Sequence, residues 1–128
     1  MLFELSTNDQ VVEIHNLDEL RSQLAEATKT QFLELWLTAP DRWPTLCALV
    51  NGDAAWLMYL RYEGDAGFST RNPNYAGPEK SLIEFYLSNG QRDEYPASWN
   101  ITTTEAMRAM EHFFTEQQRT PWLKWHED

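Results

Sequence analysis

The sequence contains one cysteine, Cys47, so no intrachain disulfide can form. Cys47 sits in the apolar run Leu46–Val50, where a thiol reads as a small buried hydrophobe rather than a nucleophile. Histidine is also scarce, with His15, His112 and His126 only, and none shows metal-ligand spacing. No Gly-x-Ser-x-Gly elbow and no glycine-rich phosphate loop is present. No apolar run approaches the roughly 18 residues of a membrane span, and Met1-Leu2-Phe3-Glu4-Leu5 lacks the basic start of a signal peptide. These absences predict a cytoplasmic chain without membrane, metal or cofactor. Basic residues are few as well: 10 Lys and Arg face 20 Asp and Glu, a formal net charge of -10. Such a field repels phosphate backbones, so nucleic acid is an unsuitable direct partner, whereas a basic protein is drawn in.

What the chain does have is apolar bulk. It is 42% hydrophobic and carries six Trp, enough for one hydrophobic core in a single domain over residues 1–128. Gln10–His15 alternates weakly and reads as a strand. Asn16 is a suitable N-cap for a helix running to about Lys29, with Leu17, Leu20 and Leu24 on one face and Glu19 completing a near capping box. Gln31–Thr38, Thr45–Val50 and Ala54–Tyr62 read as strands, the last two joined by the turn signal Asn51-Gly52-Asp53. Trp56, Met58 and Leu60 alternate with Ala55, Leu57 and Tyr59, so both faces of the third run are apolar and it should be central. A short strand is expected near Gly67–Thr70, then a loop, then a hairpin of Lys80–Leu87 and Gln91–Tyr95 turned by Asn89-Gly90 and ended by Pro96. Thr102-x-x-Glu105 is a capping box that opens a second helix with a stripe of Ala106, Met110, Phe113, Phe114 and Gln117. Arg119-Thr120-Pro121 should stop it, and Trp122–Trp125 is apolar enough to dock as an edge strand. The sum is an α+β fold, an antiparallel sheet of about five to seven strands with two helices packed on it. Trp56, Phe85, Phe113, Phe114 and Trp125 are assigned to its core.

The acids invite two functional readings. Glu63 and Asp65 flank Gly64, and Asp93 and Glu94 lie in the second hairpin. A carboxylate pair with separated pKa values could do general acid–base work in a small acidic enzyme. Acids at turns otherwise simply keep a protein soluble. Aromatics are interleaved with them, Tyr62, Phe68, Tyr75, Tyr95 and Trp99, and aromatic anchors with an acidic rim suit recognition of a basic protein surface. A homodimeric structural subunit is a third reading.

The ordering of the motifs adds a resemblance. Tyr62-Glu63-Gly64-Asp65-Ala66-Gly67-Phe68-Ser69 precedes Ile83-Glu84-Phe85-Tyr86-Leu87-Ser88-Asn89-Gly90. Asp93-Glu94-Tyr95-Pro96-Ala97-Ser98 follows, then the helix Thr104–Gln118, then Arg119-Thr120-Pro121-Trp122-Leu123-Lys124-Trp125. This set resembles the immunity protein one family of bacterial polymorphic toxin systems. Thr120 departs from the tighter Arg-Pro arrangement of that pattern. The resemblance implies a non-enzymatic antitoxin of interbacterial competition. It would bind and neutralise a cognate toxin domain, a nucleic-acid deaminase or nuclease, by occluding its active site in a one-to-one complex. Glu63, Asp65, Tyr75, Asp93 and Glu94 are the expected partner contacts.

Overall fold

A computed structural model describes residues 2–128. Seven strands form one continuous path in the order β10-β6-β5-β4-β3-β1-β2. They are β1 Phe3–Ser6, β2 Val11–Ile14, β3 Phe32–Thr38, β4 Thr45–Asn51, β5 Ala54–Leu60, β6 Phe68–Arg71 and β10 Lys124–Glu127. A two-residue strand, β9 (Ile101–Thr102), pairs with the start of β5, and every pairing is antiparallel. The helices are α1, Leu17–Ala27, and α2, Thr103–Glu116. The α+β class and the two helices agree with the sequence, and the sheet is slightly wider than expected.

The central strands follow from their patterning. Along β3, Leu33, Leu35 and Leu37 are buried and alternate with partly exposed Phe32, Glu34, Trp36 and Thr38. The leucines join Leu5, Ile14, Leu57, Met110 and Phe113 beneath the two helices. β4 is buried from Thr45 to Val50 because apolar material covers both its faces. The covering on the second face is a separate hairpin, β7 (Leu82–Tyr86) with β8 (Arg92–Pro96), followed by a 3-10 turn at Ala97–Trp99. Phe85 is fully buried against Cys47, Leu49 and Trp56. Trp56 stacks on Tyr95 with ring centroids 4.2 Å apart. Trp56, Phe85 and Phe113 are therefore core residues, while Phe114 and Trp125 pack against the core and stay partly exposed.

Several local expectations need correcting. Phe3–Ser6 is a strand that short-range patterning did not reveal. α1 ends at Ala27, where Thr28 takes over as C-cap. Asn16 accepts from the Glu19 N–H as a cap should, but the Glu19 carboxylate accepts the N–H of His15, not that of Asn16. In α2 the capping box of Thr102 and Glu105 is complete. Gln117 is exposed, off the buried stripe, and ends the helix in a left-handed conformation (φ 55°) with its N–H on the Phe113 carbonyl. The helix thus stops two residues before Arg119. No helix among the described residues is long and apolar enough to cross a membrane.

Candidate functional site

The β7–β8 hairpin covers only part of the sheet face opposite the helices. The face of β1, β2 and the end of β3 stays open, and there the structure holds a cleft of about 790 Å³. Sheet register builds its floor. Glu13 on β2 lies opposite Glu4 on β1, Glu4 opposite Thr38 on β3, and Thr38 opposite Thr45 on β4. Trp36 stands beside this row, the β3–β4 connection adds Arg42 and Trp43, and Glu63 enters from the β5–β6 connection.

Like charges directly across an antiparallel pair are unfavourable. Glu4 and Glu13 occupy such a pair, and among the described residues neither they nor Glu63 forms an ion pair. Arg42 lines the same cleft without pairing to them, and its φ of 76° is a left-handed conformation that non-glycine residues rarely adopt. The backbone holds it there through Arg42 N–H donating to the Ala39 carbonyl at 2.8 Å and Ala39 N–H to the Pro44 carbonyl at 3.1 Å. The cleft thus combines an excess of negative charge, three carboxylates against one guanidinium, with two tryptophan surfaces.

The five residues singled out from the sequence are not brought together. Glu63 alone lines the cleft. Asp65 turns inward: its side chain is 3% exposed, and it accepts from Arg61 Nε at 2.8 Å, Arg61 Nη2 at 2.9 Å, the Arg61 N–H at 2.9 Å and the Gly67 N–H at 3.1 Å. The Arg61 guanidinium foremost, with those N–H groups, holds the Asp65 carboxyl well below the usual carboxylate range. Asp65 is a clamp on the β5–β6 turn. Tyr75 ties its own loop, donating to the Pro78 carbonyl at 2.8 Å. Asp93 accepts from Gln91 at 2.8 Å, and Glu94 pairs with Arg92 at 3.2 Å, both on the β7–β8 hairpin.

Glu34 is a further acid of interest, on the same sheet face as Trp36. Burial opposes its ionisation, but the Trp36 indole N–H and the Ser88 N–H and hydroxyl together outweigh that and hold its carboxyl below the usual range. Every carboxylate with a displaced pKa (Glu19, Glu34 and Asp65) is displaced downward, the opposite of what a general acid needs. Burial pushes the Cys47 thiol up, away from the reactive thiolate. Among the described residues no three His, Cys, Asp or Glu side chains cluster as a metal ion would require.

A family model described as Immunity protein Imm1 matches residues 3–127, nearly the whole chain. The chain belongs to the Imm1 family of immunity proteins. A search of curated proteins returned no match. The Imm1 match runs from β1 to β10, so it takes in the strands that form the cleft floor as well as the C-terminal motifs. It also gives the C-terminal tryptophan of the motif a structural setting. Trp125 donates its indole N–H to the Thr120 carbonyl at 2.9 Å and lies on β10, which closes the sheet against β6. Glu4, Glu13 and Trp36 were missed in the sequence because acid and aromatic residues alternating with leucines look like an ordinary solvated face. Only the pairing of strands distant in the chain makes them one surface.

Proposed function

We propose that this Imm1 protein neutralises a cognate toxin domain by seating a basic segment of it in the acidic cleft over β1, β2 and β3. The observation that carries the proposal is the unpaired set Glu4, Glu13 and Glu63, gathered around Trp36 and Trp43 in one concavity. A Lys or Arg from the partner relieves the Glu4–Glu13 repulsion, while the indoles supply apolar and cation–π surface for its stem and head. A toxin acting on nucleic acid, as a deaminase or nuclease does, carries a basic groove for phosphates. An acidic surface occupies that groove in place of substrate, and the overall charge of -10 speeds the encounter. The strained Arg42 supports the same location, because backbone strain concentrates where structure serves function.

Co-expression with the toxin domain encoded beside this chain tests the reading. Wild type should restore growth and co-purify one-to-one. The triple reversal Glu4→Lys, Glu13→Lys, Glu63→Lys should lose the complex while keeping the fold, and reversal of Asp93 and Glu94 should be milder. A triple variant that still protects and binds with unchanged affinity would place the interface elsewhere.

A further inference from the structure

A second concavity lies where β5 and β6 meet the segment joining α2 to β10. It measures about 480 Å³ and is lined by Tyr59, Arg61, Phe68, Arg119, Thr120 and Trp125, among others. Tyr62 alone separates Arg61, in this pocket, from Glu63, in the acidic cleft, so the β5–β6 turn divides two sites of opposite character. Both guanidiniums rest on Phe68, with Arg61 Cζ 4.8 Å and Arg119 Cζ 3.6 Å from the ring centroid. Their charges are used differently. Arg61 is committed to Asp65. Arg119 forms no ion pair among the described residues, although carboxylates outnumber cations two to one along the chain. Thr120, beside it, is 1% exposed, and its hydroxyl is buried without a hydrogen-bond partner. Its carbonyl already accepts the Trp125 indole N–H, whereas the hydroxyl has no such use. A buried polar group without a partner is unusual enough to require a reason.

We propose that this pocket accepts the side-chain carboxylate of an aspartate or glutamate on a partner protein, with Arg119 as the paired cation and Thr120 as an added donor. Stacking on Phe68 uses the face of the Arg119 guanidinium and leaves its edge, a planar fork of N–H groups that matches a carboxylate. Leu123, Pro121 and Trp125 give an apolar wall for the methylene stem. A monoanion fits better than a phosphate. One guanidinium is free, and Asp65 and Glu127 sit against Arg61 at 2.8 and 3.9 Å and oppose a second negative charge. The Arg119-Thr120-Pro121 segment thereby acquires a role that the acidic cleft does not provide. In an inhibitor of this charge, an acid-accepting pocket discriminates among basic partners by requiring one acid at a set position.

The test uses the full chain and follows by NMR the Trp125 indole N–H, which lines the pocket in every variant, together with the Arg119 Nε–H in wild type and Thr120→Val. The probe is N-acetyl-glutamic acid α-amide, which carries only a side-chain carboxylate, at constant ionic strength. N-acetyl-glutamine amide is the neutral control and inorganic phosphate the competing anion. A saturable shift with the glutamate probe alone is expected, weakened about tenfold or more in Arg119→Gln and less in Arg119→Lys. Thr120→Val should weaken binding and at the same time leave the melting temperature of the free protein unchanged or higher, because it removes an unpartnered hydroxyl at constant shape. The proposal is overturned by a shift that does not saturate, by equal response to the glutamine control, by tighter binding of phosphate, or by wild-type affinity in Arg119→Gln.

Discussion

The Glu34 carboxylate on β3 accepts both the backbone N–H of Ser88, at 2.9 Å, and its hydroxyl, at 2.8 Å, and so latches the tip of the β7–β8 hairpin onto the sheet. The same side chain accepts from the Trp36 indole at 2.9 Å, and the Asn51 amide donates to the Glu84 carbonyl at 2.9 Å farther along the hairpin. The hairpin covers Cys47, Leu49 and Trp56, so this latch also protects the second apolar cluster.

Glu34→Ala removes three hydrogen bonds and leaves the Trp36 and Ser88 donors without their acceptor. The expected loss is about 1 to 3 kcal/mol of stability, with faster amide exchange confined to β7 and β8. The pH dependence has a defined sign. The folded Glu34 pKa lies below its unfolded value of about 4.3, so its contribution is fully present above that value and is lost as pH falls through the folded pKa. Wild-type and Glu34→Gln stabilities, measured by denaturant titration, should therefore converge on acidification below about pH 4. A constant difference across that range would refute the latch.

Phe113 on α2 is fully buried and meets Phe3 edge-on with centroids 5.9 Å apart and Tyr59 at 6.1 Å. Phe113→Ala should cost about 3 to 5 kcal/mol in denaturant unfolding. Trp122 is 53% exposed, with His112 as its aromatic neighbour. Trp122→Ala should lie within about 0.5 kcal/mol of wild type. Two aromatics nine residues apart thus separate sharply, and equal effects would contradict the packing.

The elements legible in the sequence were those fixed by neighbours in the chain. The capping box of Thr102 and Glu105, the Asn51-Gly52 and Asn89-Gly90 turns and the two apolar faces of β5 depend on residues only a few positions apart. β1 was hidden because four residues, Phe3–Ser6, carry too little pattern. They become a strand through pairing with Val11–Ile14 on one side and Trp36–Thr38 on the other. The cleft was hidden for the same reason, since Glu4, Glu13 and Trp36 meet only through that pairing. Asp65 shows the converse error. Its place in a turn suggested a free acid, and nothing local reveals that the Arg61 side chain folds back on it.

Electrostatic steering makes a kinetic prediction. The association rate of this chain with its toxin partner should fall steeply with added salt, and the triple Lys variant at Glu4, Glu13 and Glu63 should show a flatter dependence. Neutralising Asp65 should act differently. Asp65→Asn breaks the Arg61 clamp, so it should lower the melting temperature, most visibly near neutral pH. Its folded pKa is depressed, and the stability it provides is lost only as pH falls below the usual aspartate range. Stopped-flow association and thermal melts at two pH values separate the two roles. An unchanged melting temperature in Asp65→Asn would return Asp65 to the set of free surface acids.

The two glycines of the β5–β6 turn give the sharpest contrast. Gly64 and Gly67 both hold positive φ, 80° and 78°. A Cβ on Gly64 would meet nothing within 4 Å, so Gly64→Ala should cost only the left-handed backbone penalty of about 1 to 2 kcal/mol. A Cβ on Gly67 would lie 2.5 Å from the Tyr59 carbonyl oxygen and 2.6 Å from a Leu60 methyl. Gly67 also donates its N–H to Asp65 and accepts the Asp128 N–H at 2.9 Å, so any shift to relieve the clash disturbs both the turn clamp and the C-terminal strand. Gly67→Ala should therefore cost roughly 2 to 5 kcal/mol and loosen β10 as well as the turn. Denaturant unfolding gives the difference between the two variants, and amide exchange at Trp125 and Glu127 reports the strand. Equal destabilisation by the two substitutions would mean that β5 does not approach Gly67 as closely as the structure has it.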